Sequence, residues 1–580
     1  MTSGITGQRG IAMKEKREVD LLIAGAGPAG MTAALVAAIE GLDVLLCEKS
    51  DQVGGTGATS AGTVWIPGNR QSLAAGFSDS AEAADRYLSA LIGENTNRAL
   101  RRAFLETGPM AIDYLEANTD VQFVPCGIHP DYRSNMPGAA VSGRAIVPQP
   151  FDGRLLGRDF DRLRPPIPEF MILGGMMVGK PDMAPLIGRF RSLGNFVYAA
   201  KLFARYVADR INYRRGTRIT MGNALVGRLF YSLRKRKVPI LFDAAIVELV
   251  GGKDGIAGAR FKVAGKDVTV KTRKGVVLAT GGYGHNKALR ESLMPQPVPA
   301  HSMSYPGNVG DGVAAARKAG ASLAPTRGTS GLWTPASITT RPDGSKGLYP
   351  HFMFDRAKPG LIAINSAGRR FVNEACSYHD FVLAMFESHK IAPTMPARLL
   401  CDAAFIKKYG LGVIYPGQRN LTKFEKNGYL VRGRTLEELA GKIGIDSLAL
   451  SETVVRHNRF AETGIDVDFG KGETELNRFN GDAAHKPNPC IGKLETPPFY
   501  ALAVWPADIA VSTGLATDAD ARVLNGDGAP IRGLYACGND MASVMGGSYP
   551  GPGTTLGPAI VFAYRAAMHA RGNELNRSAK

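Results

Sequence analysis

The chain has 580 residues, 44% hydrophobic and 21% charged, with a formal net charge of +18. This length provides several units with sizeable cores, and the composition excludes a disordered, collagen-like or disulfide-framed chain. The six cysteines are scattered without metal-ligand spacing, which points to a reducing cytoplasm and no metal site.

Residues 1–20 lack the apolar stretch of a secretory leader, and no uncharged run is long enough to span a bilayer. The first regular element is "VDLLIAGAGPAGMTAALVAAIEGLDVLLCEKS". Residues 19–24 read as a buried strand, 31–40 as a helix and 44–47 as a second strand ending at Glu48. Strand, GxGxxG turn, helix, strand and acid form a dinucleotide site. Gly25 makes the turn, Gly27 lets a pyrophosphate reach backbone, Gly30 permits close helix packing, and Glu48 accepts from a ribose. The loop "DQVGGTGATSAGTVW" follows, where Gly55 gives backbone access and Thr56 and Ser60 offer hydroxyls. Its position after the acid-ended strand points to a flavin, hence FAD.

Residues 72–119 read as helices, and the loop after them carries Tyr132. Between Arg189 and Lys237 basic residues alternate with Phe, Leu, Val and Tyr at helical spacing. That pattern is an amphipathic helix with its arginines outward. It is either a solvated face or a peripheral contact with an anionic membrane on the cytoplasmic side. No nucleic-acid module accompanies it. A strand over 240–250 opens an alternating meander closed by "VVLATGG", where Ala279, Thr280 and Gly281 end a buried strand at the cofactor.

From about 306 to 499 the pattern changes: a helix enters through Gly-Asp-Gly at Asp311, a hairpin-like pair surrounds 366–368, and 434–464 is helical. The chain returns to an apolar strand ending at Gly538-Asn539 and then to "GGSYPGPGTTLGPAIVFAY". The expected fold is α/β, with a Rossmann-like FAD-binding domain (parallel sheet plus β-meander) and an inserted α+β catalytic domain. The expected limits are 1–305 and 500–580 for the FAD-binding domain, with a basic helical insertion at about 160–237, and 306–499 for the catalytic domain. Ala29, Lys49, Gly62, Ile246, Thr555 and Leu556 complete the candidate cofactor contacts. His129, His285 and His379 read as structural, and Tyr305, Tyr349 and Trp333 rank with core residues.

The runs "AGAGPAG", "GGTGATSAGTVWIP", "PDYRSNMPG", "GRRFVNEACSY", "LYACGND" and "SYPGPGTTLGPAIVFAY" together resemble the 3-ketosteroid Δ1-dehydrogenases. These belong to the fumarate-reductase-type FAD superfamily. The resemblance spans about 17–570. It implies that Tyr549 and the Gly553 N–H hold a ketone oxygen, that Tyr378 is the base, and that Tyr132 lowers the pKa of Tyr378. Relatives often carry a second aromatic beside Tyr132, where Arg133 stands here. No histidine lies in the 54–65 loop, so FAD is expected to be non-covalent.

The implied substrate is a steroid or other cyclic ketone, with an external acceptor such as a quinone. Alternatives within the class are a Δ4-(5α)-ketosteroid dehydrogenase, a cyclohexanone-type desaturase and an enoate reductase. The last is disfavoured by Tyr549 standing where a charged clamp is expected. From another class, the chain is a membrane-surface flavoprotein that passes electrons onward.

Overall fold

The computed structural model describes residues 18–93 and 97–572; the N-terminal segment read for a secretory leader lies outside them. A larger sheet begins with Glu18–Ala24, which pairs in parallel with Val44–Cys47 on one side and with the end of Lys266–Leu278 on the other. Pro530–Ala536 adds a further parallel strand beside Val276–Leu278. These strands are near-continuous apolar runs because both faces are covered. The helix Pro28–Ile39 packs between the sheet and the C-terminal helix Leu556–Arg571. The first half of Lys266–Leu278 pairs antiparallel with Gly255–Val263, which pairs with Ala244–Gly252.

The strand expected over 240–250 is interrupted. Ile240–Leu241 joins the parallel edge, Asp243 takes a left-handed φ of 56°, and the chain restarts at Ala244 in the meander. The Asp243 and Ala244 N–H groups donate to the carbonyls of Ser50 and Glu48, so local bonds to the second strand's exit hold the break.

A second sheet of seven strands is built around Phe499–Val511, which pairs with Gly331–Thr340, Ala397–Asp402, Leu430–Gly433 and His301–Ser302. This sheet therefore runs past the expected limits of 306 and 499 at both ends. One 13-residue strand holds four partners, and cannot be divided from them at residue 500. The hairpin expected around 366–368 keeps only the strand Leu361–Ile364 and a single bridge to Arg370. Its second arm is diverted because Arg370 turns inward to Glu374 and Asp466. The helical run after 434 splits at Gly444 into Leu436–Ile443 and Ser447–Thr463.

The basic segment is two different things. Met221–Lys235 is a core helix packed on Pro28–Ile39. Lys180–Ile187 and Leu193–Asn212 form an exposed pair. Among the described residues no helix is long and apolar enough to cross a membrane.

Candidate active site

Three turns meet at the carboxyl ends of the parallel strands. Gly25 has φ +104°, and a Cβ there would lie 2.2 Å from the Ala279 carbonyl oxygen. A Cβ on Gly30 would lie 1.8 Å from the Gly25 oxygen, so these two positions are filled by neighbouring backbone. Gly27 differs: a Cβ there meets nothing within 4 Å. It caps the helix Pro28–Ile39 with no side-chain acceptor, which leaves the first N–H groups, including that of buried Ala29, for an outside anion. This cradle fits a dinucleotide pyrophosphate. Gly55 adjoins it, since a Cβ there would stand 4.0 Å from the Gly27 Cα.

Glu48 is buried and accepts from the Ala26 N–H at 2.8 Å and the Ser50 N–H at 2.9 Å. Burial pushes its pKa up, against the pull of these donors. It therefore holds the glycine turn. The Ala244 bond to Glu48 starts the meander here, two residues before buried Ile246. Lys49 donates to Asp311 at 2.5 Å and to the Gly307 carbonyl at 2.7 Å, so two expected contacts pair with each other. Thr56 Oγ1 accepts from the Tyr305 N–H at 2.9 Å and from Asn308 at 3.2 Å. Asn308 also fills the space beside Gly281. Ser60 is used within its own turn, bonding the Gly57 carbonyl and the Gly62 N–H, while Gly62 abuts Met221 backbone. Gly538, Asn539 and Thr555 line a small cleft with Leu332 and Val511, and Leu556 begins the helix at its edge.

The three tyrosines, from loops far apart in the chain, form one buried cluster. The Tyr132 hydroxyl donates to that of Tyr378 at 3.1 Å. The Tyr549 ring stacks on Tyr132 at 5.5 Å and meets Tyr378 edge-on at 5.1 Å. Burial raises all three phenol pKa values well above their ordinary value. Phe352, Leu332 and Met353 surround them. Tyr378 is the first residue of the helix Tyr378–His389, whose N-cap Ser377 accepts from the Asp380 N–H. Arg133 pairs with Asp380 at 2.8 Å, and so ties the Tyr132 loop to the Tyr378 helix. Gly553 has φ +91°, and a Cβ there would lie 2.4 Å from the Thr63 carbonyl oxygen.

Several positioning groups escaped the sequence reading. Buried Asp540 accepts from the Thr280 N–H and hydroxyl and from the Gly282 N–H, locking two cofactor turns together. Its place directly after Gly538-Asn539 was the available signal. The Pro550 carbonyl accepts from the Tyr132 N–H at 2.8 Å and the Tyr87 hydroxyl at 2.7 Å. Asp131, the residue before Tyr132, is held by Arg144 at 2.6 Å and Trp65 at 2.9 Å. Nothing local in the sequence marks Tyr87 or Arg144. His379 packs 5.8 Å from Tyr549, and Trp333 is core, against Phe386.

Residues 20–556 match the FAD binding domain family. A 4-oxocyclohex-2-ene-1-carboxylate 5-dehydrogenase of Sinomonas cyclohexanicum is 38% identical over 551 residues, covering 94% of this chain and 92% of that protein. A 3-oxosteroid 1-dehydrogenase of Mycobacterium tuberculosis is 34% identical over 564 residues, covering 95% and 98%. The crystal structure of a 3-ketosteroid delta1-dehydrogenase from Sterolibacterium denitrificans, in complex with 1,4-androstadiene-3,17-dione, is 36% identical with a TM-score of 0.88. It covers 96% of this chain, which covers 99% of it. The glycine cradle, the tyrosine cluster and these likenesses agree over nearly the whole length, and the chain belongs to the 3-ketosteroid Δ1-dehydrogenase family of FAD-dependent oxidoreductases.

Proposed function

We propose that this enzyme introduces a C=C bond beside a ring ketone, with Δ1 of a 3-ketosteroid as its target. The observation that carries the reading is the buried tyrosine cluster: two linked phenol hydroxyls, and a third phenol on the same loop as Gly553. Tyr549 Oη and the Gly553 N–H donate to the ketone oxygen and stabilise the enolate that forms as the neighbouring C–H is lost. That proton passes to Tyr378 Oη. Tyr132 Oη donates to Tyr378, and that bond favours the phenolate. FAD, held without a covalent bond at Gly25–Gly30, Glu48, Thr56 and the 279–281 and 538–539 turns, supplies the hydride acceptor for the adjacent carbon.

The two-part division is also proposed here: a Rossmann-like FAD-binding body interrupted by an α+β substrate body. An external acceptor, such as a quinone, reoxidises the enzyme. A second reading, a small cyclic keto acid, draws on the Sinomonas relative. The lining argues against it: Leu332, Phe352 and Met353 are apolar, and nearby Arg133 is paired with Asp380. These features suit a neutral ketone.

The test is anaerobic addition of 4-androstene-3,17-dione to the yellow enzyme. Bleaching of the flavin band with a 1,4-diene product is expected. A flavin that stays oxidised with 3-ketosteroids, but bleaches with 4-oxocyclohexanecarboxylate, overturns the steroid assignment. Acid precipitation releases the flavin into solution if it is non-covalent.

A further inference from the structure

The helix Leu193–Asn212 presents its polar side to the protein and its apolar side outward, the reverse of an ordinary surface helix. Inward, buried Asp209 accepts the Thr217 N–H at 2.8 Å, Arg205 pairs with Asp152 at 2.9 Å, and Tyr206 donates to the Leu173 carbonyl at 2.7 Å. In the preceding helix, buried Asp182 is held by two 3.0 Å bonds from Arg218 and one of 2.5 Å from Tyr198. Outward stand Phe190 (80% exposed), Leu193 (78%), Ile211 (79%), Ile187, Phe203 and Val207.

Among the described residues, ten of the 24 exposed large apolar side chains fall between 183 and 211. Scatter of ordinary surface residues does not produce that density, whereas an interaction site does. The charges are sorted as well. Lys180, Arg189, Arg191, Lys201, Arg210 and Arg214 are exposed, while the two acids of residues 180–214, Asp182 and Asp209, are both turned inward and bonded. The outer face is therefore apolar with a purely cationic rim.

We infer that the Lys180–Ile187 and Leu193–Asn212 helices dock this enzyme on an anionic lipid bilayer. The apolar side chains enter the headgroup–acyl boundary, and the lysines and arginines meet the phosphates. An amphipathic helix with apolar bulk on one side and cations beside it binds in this way. A second copy of the chain fits worse, because a two-fold contact would set the same cationic rim against itself. The docking face also adjoins the site. The Lys180 ammonium lies 5.2 Å from the Phe479 ring, Phe479 lies 5.3 Å from His129, and His129 lies 6.4 Å from Tyr132. If the steroid assignment holds, a bilayer-dissolved substrate reaches an enzyme already seated where it is concentrated; the docking itself does not depend on that assignment.

The test is flotation of the flavin-loaded enzyme with vesicles of phosphatidylcholine alone or mixed with phosphatidylglycerol. Binding to the mixed vesicles is expected. It should weaken as salt rises from about 0.1 M to about 1 M, where the screening length falls from about 10 Å to about 3 Å. The triple variant Phe190→Glu/Leu193→Glu/Ile211→Glu should bind more than about tenfold more weakly, since each side chain removed from the apolar phase loses roughly that factor. Arg189→Gln/Arg191→Gln/Lys201→Gln should lose about fivefold per charge. Flavin content and Tm show that both variants are folded. Absence of wild-type binding to anionic vesicles at low salt overturns the inference, as does unchanged binding of the glutamate variant. So does a wild-type dimer in light scattering that the same glutamates dissociate. The readout is vesicle binding, so a failed steroid assay leaves it intact.

Discussion

Tyr378, the base of the proposed mechanism, shows what a buried hydroxyl requires for that role. Burial raises its pKa well above the ordinary phenol value, so the phenolate is scarce at neutral pH and becomes more abundant as pH rises. The expected consequence is a kcat/KM that climbs with pH on the alkaline side. Tyr132→Phe removes the hydroxyl that bonds Tyr378 at 3.1 Å, and should move that rise to still higher pH. A profile that keeps its position in the variant removes Tyr132 from the mechanism. Tyr549→Phe takes a donor from the carbonyl instead. It should lower kcat/KM by roughly 10²–10³-fold at every pH, as loss of one oxyanion donor does. Steady-state profiles of the two variants separate base from carbonyl holder.

At the scale of elements, the site depends on turns being held at fixed separations. Gly25 lies against the Ala279 carbonyl, so Gly25→Ala forces the Gly25 turn and the 279–281 turn apart. The variant should be purified with less than half the wild-type flavin, read from the ratio of visible to ultraviolet absorbance. The Pro550 carbonyl is the joint between the Tyr549 loop and the Tyr132 loop, with Tyr87 as one of its two donors. Tyr87→Phe should destabilise the fold by only about 1 kcal/mol, the usual worth of one hydrogen bond. Its kcat should fall more than its KM rises, because the two loops lose their fixed spacing. Equal loss of both would make Tyr87 a packing residue.

For the molecule as a whole, the second sheet and the Tyr378 helix are tied by a buried ionic cluster. Glu374 pairs with Arg370 at 2.8 Å and with Lys471 at 3.2 Å, and Arg370 also holds Asp466 at 2.8 Å. The Lys471 ammonium reaches the Leu361 carbonyl at 2.7 Å. Burial pushes Glu374 up, but the two cations outweigh it and hold the carboxyl far below its usual range. A folded-state pKa below the unfolded one contributes stability that is present above about pH 4 and is lost as pH falls below it. Glu374→Gln leaves the buried Lys471 ammonium without its carboxylate, Arg370 keeping Asp466, and should destabilise the protein by about 3–5 kcal/mol near neutral pH. The difference in Tm from wild type should narrow in acid. A constant difference across pH would show that the Glu374 charge contributes nothing.

The cofactor cradle was legible because everything it needs lies within about thirty residues: an apolar strand, glycines at fixed spacing, a helix and an acid. Local steric and hydrogen-bonding demands write themselves into residue types there. Tyr378 and Tyr549 were legible through the runs around them, and the chain's family through those runs together. Contacts across hundreds of residues decided the rest. Asp540 serves Thr280 because two parallel strands end side by side, and Tyr132 joins the cluster because Pro550 and Asp380 draw its loop in. The limits of the second sheet follow from the four partners of Phe499–Val511. The helix Leu193–Asn212 shows the division most clearly. Its spacing declares two unlike faces but not which is outer. Arginines were expected outward, and Arg210 is, yet Asp209 and Arg205 find partners inside and leave an apolar face exposed as well. Periodicity is a property of one element, whereas orientation depends on the partners that meet it.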